Sequence, residues 1–290
     1  MRAALIVNPA ATRVTPDLTV AVERELAPVD TLVAARRGAA AALAEAASHE
    51  YDRIYVYAGD GGLNEAVNGL AADVPLGVLP GGASSVAARA LGLPRDPILC
   101  ARRLSRSTRL RRISLGRAND RRFVFAAGIG LDAEIVRAVD RLGRRRGRRR
   151  GDLAYVWMLA RAFAERGGRL EPRMTVGGER RVAFAVVANC DPFSYLGPLR
   201  VRVAPAARFE LGLDVVAPER LHASQLPALA YSLLVRTRHT RWKDVVHVHD
   251  ADQLRVECDT PTALQADGED LGDAAEAVFE AERGVLRVIV

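Results

Sequence analysis

Apolar residues run along this chain in short blocks separated by stretches of helical texture, and over the first third the two alternate regularly. Ala3 to Val7 is an apolar run. Thr15-Pro16, beyond a turn-rich stretch, pairs an N-cap residue with proline at the first helical position, so a strand followed by a helix is predicted. Val29 to Ala34 reads as a strand, Ala39 to Ser48 as an alanine-rich helix, Arg53 to Tyr57 as a strand and Leu63 to Leu70 as a helix. Leu76 to Leu79 and Ser85 to Leu91 repeat the unit. Such alternation predicts parallel strands joined by crossover helices: a doubly wound α/β, Rossmann-like nucleotide-binding domain over residues 1–110.

The texture changes beyond Arg109. Short β-rich runs follow at Leu110 to Leu115, Phe123 to Ala127, Arg173 to Val176, Val182 to Ala188, Asp214 to Ala217, Val245 to Val248 and Gln253 to Glu257. Helices are expected near Ala133 to Leu142, Leu153 to Arg166 and Ala223 to Arg236. Many short strands between Gly, Pro and Asp turns predict an antiparallel, sandwich-like second domain over residues 111–284. The last run, Val285 to Val290, is a candidate to return to the first domain.

Composition narrows this picture. A length of 290 residues suits two domains, and 49% hydrophobic, 27% charged and 5% aromatic residues exclude a disordered chain and a membrane channel. No apolar run approaches the roughly 18 residues that span a bilayer. The start MRAALIVNPAA lacks a signal peptide's apolar region and cleavage site, so a cytoplasmic protein is expected. Cys100, Cys190 and Cys258 are odd in number and far apart, which indicates buried thiols rather than disulfides or a zinc site. The net charge of +7 favours acidic partners: nucleotide phosphates, anionic lipid or nucleic acid. Lys243 is the only lysine, and in so alanine- and arginine-rich a chain the arginine count is weak evidence by itself.

The sharpest chemical signal is Ala58-Gly59-Asp60-Gly61-Gly62-Leu63-Asn64-Glu65, set between the strand Ile54 to Tyr57 and a helix. Its glycines let backbone amides turn toward an anion, and the helix N-terminus adds orphan donors and partial positive charge. Asp60 beside phosphates requires a magnesium ion or a substrate hydroxyl as partner. The alternative is an ordinary Asp-Gly hairpin turn, which a following helix disfavours. A second loop, Leu79-Pro80-Gly81-Gly82-Ala83-Ser84-Ser85, also joins strand to helix and reads equally as a turn with an N-cap. Gln265-Ala266-Asp267-Gly268-Glu269 places two carboxylates around a glycine, facing a hydroxyl or metal, or forming a solvated hairpin turn.

Together these residues resemble the bacterial diacylglycerol kinase family, which is related to the sphingosine kinases. The motifs occur in order: Val7-Asn8-Pro9, Gly59-Asp60-Gly61 with Asn64-Glu65 and Asn68-Gly69-Leu70, Leu79-Pro80-Gly81-Gly82 with Ala88 to Pro94, Gly128-Ile129-Gly130-Leu131-Asp132-Ala133, and Asp267-Gly268-Glu269. The resemblance implies an ATP-dependent lipid kinase that phosphorylates a lipid hydroxyl such as that of diacylglycerol, in phospholipid biosynthesis at the inner membrane face. It implies nucleotide contacts from Asn8, Pro9, Ala10, Ala11 and Thr12, from Gly59, Asp60, Gly61, Gly62, Leu63, Asn64 and Glu65, and from Gly81, Gly82 and Ala83, in a cleft between the domains. Glu269, with Asp267 beside it, would accept the hydroxyl proton, and Asp60 and Asp267 would hold Mg2+. Asp132 would lie near the lipid head group, or else cap a helix.

Some positions depart from the family pattern. Ala58 and Gly62 stand at the ends of a segment that usually reads Gly-Gly-Asp-Gly-Thr, and Ala83 and Ser85 replace a usual Thr and Asn. Phe209-Glu210-Leu211-Gly212-Leu213-Asp214 stands where many members carry an Asp-Asp-Gly segment with a structural magnesium, so no such site is expected. A kinase of a soluble acceptor, NAD-kinase-like, and a catalytically weakened nucleotide or lipid sensor are the alternatives.

The densest charge, Arg141 with Arg144-Arg145-Arg146 and Arg148-Arg149-Arg150, reads as a solvated loop or, for a lipid kinase, an electrostatic grip on anionic membrane. Aromatic residues do not interleave with these arginines, so nucleic acid is not the expected partner. A homodimer is compatible with the sequence. His247, His249 and Asp250 share a strand and read as solvent-facing, since no third ligand lies nearby in sequence.

Overall fold

The computed structural model describes residues 2–141 and 152–290. All of the basic run except Arg141 lies outside the described residues. The chain divides into two units, Met1–Leu115 with Arg283–Val290, and Gly116–Glu282. The sequence pattern placed the divisions at 110/111 and 284/285.

The first unit alternates as the periodicity predicts: β1 (Ala3–Val7), α1 (Pro16–Leu26), β2 (Asp30–Val33), α2 (Ala39–Glu50), β3 (Arg53–Ala58), α3 (Asp60–Gly69), β4 (Leu76–Pro80), α4 (Val86–Ala90) and α5 (Pro97–Arg106). The strands lie in the order β2-β1-β3-β4, all parallel. β1, β3 and β4 are buried almost throughout, as a sheet covered on both faces requires, whereas edge strand β2 is mostly exposed. Thr15 caps α1, its hydroxyl accepting from the Leu18 amide at 3.3 Å. Helix α5 is an addition to the sequence expectation. Its signal is Asp96-Pro97: the aspartate carboxylate accepts from the Ile98 and Leu99 amides, each at 2.9 Å, and proline takes the first helical position.

Strand β5 (Leu110–Ala118) carries the chain into the second unit. There follow β6 (Arg121–Phe123), β7 (Ala126–Ile129), α6 (Leu131–Arg141), α7 (Asp152–Glu165), β8 (Arg169–Leu170), β9 (Met174–Val176), β10 (Arg180–Val182), β11 (Ala185–Ala188), β12 (Ser194–Leu196), β13 (Leu199–Val201), β14 (Leu213–Pro218), β15 (Leu221–His222), α8 (Leu226–Tyr231), β16 (Val245–Ala251), β17 (Gln253–Ala266) and β18 (Glu269–Ile289). The main sheet of this unit runs β16-β14-β11-β7-β17-β18, antiparallel at each step. Its core joins Phe123, Ile129, Met174, Val187, Val256 and Phe279. A second cluster packs Leu131 of α6 and Phe163 of α7 on Leu170, Ala183 and Leu221.

Two expected single strands are broken. Val182 to Ala188 divides at Ala183-Phe184, and Phe123 to Ala127 divides at Val124-Phe125, whose amides turn away from the ladder toward a side chain described below. The C-terminal part of β18 lies in the first unit, parallel to β4 with Val288 opposite Leu76, and the Val290 amide donates to Arg109 O at 3.1 Å.

Candidate active site

In the first unit three loops leave the carboxyl ends of adjacent parallel strands, the edge at which open α/β sheets bind ligands. The β3–β4 register puts Ala58 opposite Pro80, and the Gly81 amide donates to Ala58 O at 2.9 Å. The two glycine loops therefore touch backbone to backbone: a Cβ on Gly82 would stand 3.0 Å from the Gly59 Cα. The Asn8–Thr12 turn joins them. Asn8 N donates to Tyr57 O at 3.1 Å, Asn8 Oδ1 accepts from the Ala10 amide at 3.0 Å, and Arg13 N donates to Gly81 O at 2.9 Å.

The first α3 hydrogen bond runs from Leu63 N to Gly59 O at 3.0 Å, so the Gly61 and Gly62 amides precede the helical ladder and carry the positive end of its dipole. This donor set suits a phosphate. Asp60, at the first position of α3, accepts from the Ala87 amide at 3.3 Å and so ties α3 to the start of α4. Ser85 holds the second loop closed from a left-handed backbone (φ 45°): its hydroxyl accepts from Gly82 N at 3.1 Å and donates to Gly82 O at 3.0 Å. That hydroxyl is spent within the loop.

The departures at positions 58 and 62 compensate each other. A Cβ on Gly62 would lie 2.8 Å from the Ala58 methyl and 3.2 Å from Asn8 Nδ2, so Ala58 occupies the space that a larger residue at 62 would need. Three expected nucleotide contacts point elsewhere. Leu63 and Asn64 are buried inside the unit, and Asn64 accepts from Asn68 Nδ2 through both its backbone and side-chain oxygens, at 2.9 and 3.2 Å. Glu65 accepts from the Gly38 amide at 3.0 Å, placing its charge at the N-terminus of α2. The 3.6-residue period explains this, because only the first turn of α3 meets the loops.

In the second unit β17 turns into β18 through Asp267-Gly268, both at positive φ (48° and 77°), as a two-residue hairpin turn requires. This turn is not solvated. Asp267 is 4% exposed and its carboxylate accepts from three consecutive amides, Val124 at 2.6 Å, Phe125 at 2.9 Å and Ala126 at 3.2 Å. The expectation that Asp267 faces a hydroxyl or a metal is corrected accordingly: it anchors the β6–β7 break. Among the described residues no group of three or more His, Cys, Asp or Glu is arranged to hold a metal ion.

Glu269, the next acid, is partly exposed and paired with Arg121 at 3.3 Å, while Arg137 of α6 holds Asp270 through Nε at 2.8 Å and Nη2 at 2.9 Å. The Arg137 pair holds the Asp270 carboxyl below its ordinary range. Asp132 lies inside the first turn of α6 rather than ahead of it. Desolvation pushes its pKa up to about 6, against a bond from Gln265 Nε2 at 2.6 Å. Gln265 Oε1 accepts from the Gly268 amide at 2.9 Å, so one buried amide side chain links Asp132 to the turn that carries Glu269. Sequence reasoning quoted Gln265 only as a neighbour of the acids.

Two family models account for nearly all of the chain. The diacylglycerol kinase catalytic domain matches residues 2–118, and the YegS C-terminal NAD kinase beta sandwich-like domain matches residues 126–290. The chain belongs to the diacylglycerol kinase family. A stretch of 94 residues is 43% identical to a diacylglycerol kinase of Bacillus subtilis (strain 168), covering 31% of this chain and 31% of that protein, so the match spans about a third of that relative. The crystal structure of a candidate diacylglycerol kinase from Bacillus anthracis str. Sterne superposes with a TM-score of 0.75 at 21% identity, covering 99% of this chain and 94% of that one. An NAD kinase from Archaeoglobus fulgidus, solved in complex with ATP, gives 0.50 at 13% identity over 100% of this chain and 94% of that one. At these identities the structural likenesses concern the fold.

Two further features of this diacylglycerol kinase family chain lie in its second unit. A cavity of about 360 Å³ is lined by Phe184, Val186, Val216, Leu221, Leu229 and Leu233, with Arg220 and Lys243 among its polar groups. That size and lining suit an apolar ligand. The histidines of β16 do not simply face solvent: His249 Nδ1 lies 2.7 Å from Asp214 Oδ1, and His247 Nε2 lies 3.7 Å from Asp214 Oδ2, with Asp214 fully buried. The partner comes from neighbouring strand β14, 33 or more positions earlier, which local spacing cannot reveal.

Proposed function

We propose that this protein is a lipid kinase, transferring the γ-phosphoryl group of ATP to the hydroxyl of a diacylglycerol-like lipid at an anionic membrane surface. The first unit would receive the triphosphate on the Gly61 and Gly62 amides and the glycine loop around Gly82, with Asp60 as the carboxylate beside it. Magnesium, bound with the nucleotide, would supply charge neutralisation, and its protein contact would be Asp60. In the second unit Asp132 would orient the acceptor hydroxyl and Glu269 would take its proton late in the transfer, when most of the bond to phosphorus has formed. Asp267 and Gln265 would hold that turn still.

One observation carries the choice of a lipid over a soluble acceptor: the apolar cavity in the unit that also holds Asp132 and Glu269. At ~30 Å³ for a group the size of a water molecule, its 360 Å³ would take roughly a dozen methylenes of an acyl chain. A dinucleotide, rich in hydrogen-bonding groups, would leave most of its polar atoms unpaired against that lining.

The test is transfer of labelled phosphate from ATP with magnesium into diacylglycerol in anionic vesicles and, separately, into NAD, for the unchanged protein, Asp60→Asn and Glu269→Gln. The expected result is a labelled lipid, reduced about 100-fold or more in each variant. Label in NAD alone would turn the reading to a soluble acceptor. Nucleotide binding without any transfer would turn it to a sensor.

A further inference from the structure

Beside the cavity lies a surface that neither the core nor the site uses. Leu199 of β13 is 50% exposed, Tyr231 at the end of α8 is 53% exposed, and Val235 in the π-helical turn Ser232–Arg236 is 62% exposed. Large apolar side chains so placed are poorly solvated unless a partner covers them. The hairpin and the helix are joined: Arg202 N donates to Leu233 O at 3.0 Å. Arg236 Nε donates to the Tyr231 hydroxyl at 3.2 Å, which sets a guanidinium beside the exposed ring.

Charge on this segment is mainly positive. Arg236, Arg238, Arg241 and Lys243 fall within eight residues that contain no carboxylate, Asp244 coming directly after them, and Arg200 follows Leu199 directly. All five are exposed. Leu229, Leu233, Trp242 and Lys243 of the same segment line the apolar cavity, so the surface and the cavity are contiguous. A second copy of the chain would bring the same cations against these, which repel. A bilayer with anionic headgroups offers both an apolar layer and the opposite charge.

We propose that the β12–β13 hairpin and the α8–π-turn segment form a membrane-docking face. On it Leu199, Tyr231 and Val235 enter the headgroup layer and Arg200, Arg236, Arg238 and Arg241 pair with lipid phosphates. The proposal rests on the lipid-kinase reading and gives the acceptor a route from the bilayer to the cavity. It also places the electrostatic grip here rather than on the Arg144 to Arg150 run.

The experiment is co-sedimentation of the full chain, without nucleotide, with vesicles of phosphatidylcholine alone or mixed with phosphatidylglycerol. Binding to the mixed vesicles only is expected. Arg236→Gln/Arg238→Gln/Arg241→Gln is expected to weaken it roughly 100-fold, at roughly fivefold per cation. Leu199→Ser/Tyr231→Ser/Val235→Ser is expected to weaken it about tenfold with the melting temperature unchanged. Arg24→Gln/Arg95→Gln, on the first unit, should bind as the unchanged protein. The proposal fails if both triple variants bind normally, if only Arg144→Gln/Arg145→Gln/Arg146→Gln loses binding, if the serine variant converts a dimer to a monomer, or if the unchanged protein binds no vesicle. Because no nucleotide is present, vesicle binding by a protein that transfers no phosphate would count against the kinase reading alone.

Discussion

The loop Ala58–Gly62 and the turn Gln265–Glu269 both set aspartate beside glycine, and the fold uses the two aspartates in opposite ways. Asp60 stands at the mouth of a helix, partly exposed, with the Ala87 amide at 3.3 Å on Oδ1. Asp267 is buried under three amides at 2.6 to 3.2 Å, while Glu269, two positions on, is partly exposed. An aspartate next to glycine is thus a partly exposed helix-start group or a buried structural anchor according to the donors that surround it. Charge-assisted bonds from several amides leave a carboxylate little capacity for chemistry.

Removing the anchor tests this contrast most severely. Asp267→Ala leaves the Val124, Phe125 and Ala126 amides without their acceptor and is expected to lower stability by about 4 kcal/mol, read as a shift of the urea midpoint. Asp60→Asn should leave that midpoint within about 0.5 kcal/mol. Equal stabilities for the two variants would erase the distinction.

The next effect has the opposite sign. With Asp132 held up at about 6 against roughly 4 in the unfolded chain, the folded protein binds the proton more tightly, so stability falls as pH rises between these values. The deficit, up to about 3 kcal/mol, persists above pH 6. Asp132→Asn keeps an acceptor for Gln265 and is expected to raise the melting temperature at pH 8 but not at pH 4. A gain of equal size at both would show that ionisation of Asp132 is not its cause.

A smaller effect concerns the open loop. Gly62→Thr should cost about 1–3 kcal/mol by pressing on the Ala58 methyl, and Ala58→Gly/Gly62→Thr should recover most of it. Additive losses in the double variant would refute the compensation. Smallest of all, Ser85→Ala is expected to cost about 1 kcal/mol by releasing both Gly82 bonds, measured by chemical denaturation.

Much of the fold was legible in local pattern. Alternation of apolar runs with alanine-rich amphipathic stretches gave β1 to β4 and α1 to α3 within a few residues, most clearly at β1, β3 and β4, since buried parallel strands must be continuously apolar. The Asp96-Pro97 start of α5 carries an ordinary end signal. The broken strands at Val124-Phe125 and Ala183-Phe184 could not be read, since both breaks lie inside continuous apolar runs. In the site, glycine loops and acids were visible as motifs, whereas the inward turn of Leu63 and Asn64 and the capping role of Glu65 depend on where α3 meets its neighbours.

The sequence by itself determined that a glycine-rich loop follows β3 and that an Asp-Gly turn joins the last two long strands, because glycine, proline and helix-end chemistry act over a few residues. Only the tertiary structure decided which acid serves which purpose. Asp267 meets amides 141 to 143 positions away, Gln265 reaches Asp132 across 133, and His249 finds Asp214 across 35. A carboxylate's role follows from the donors, charges and water around it, and those are brought together by packing rather than by order along the chain.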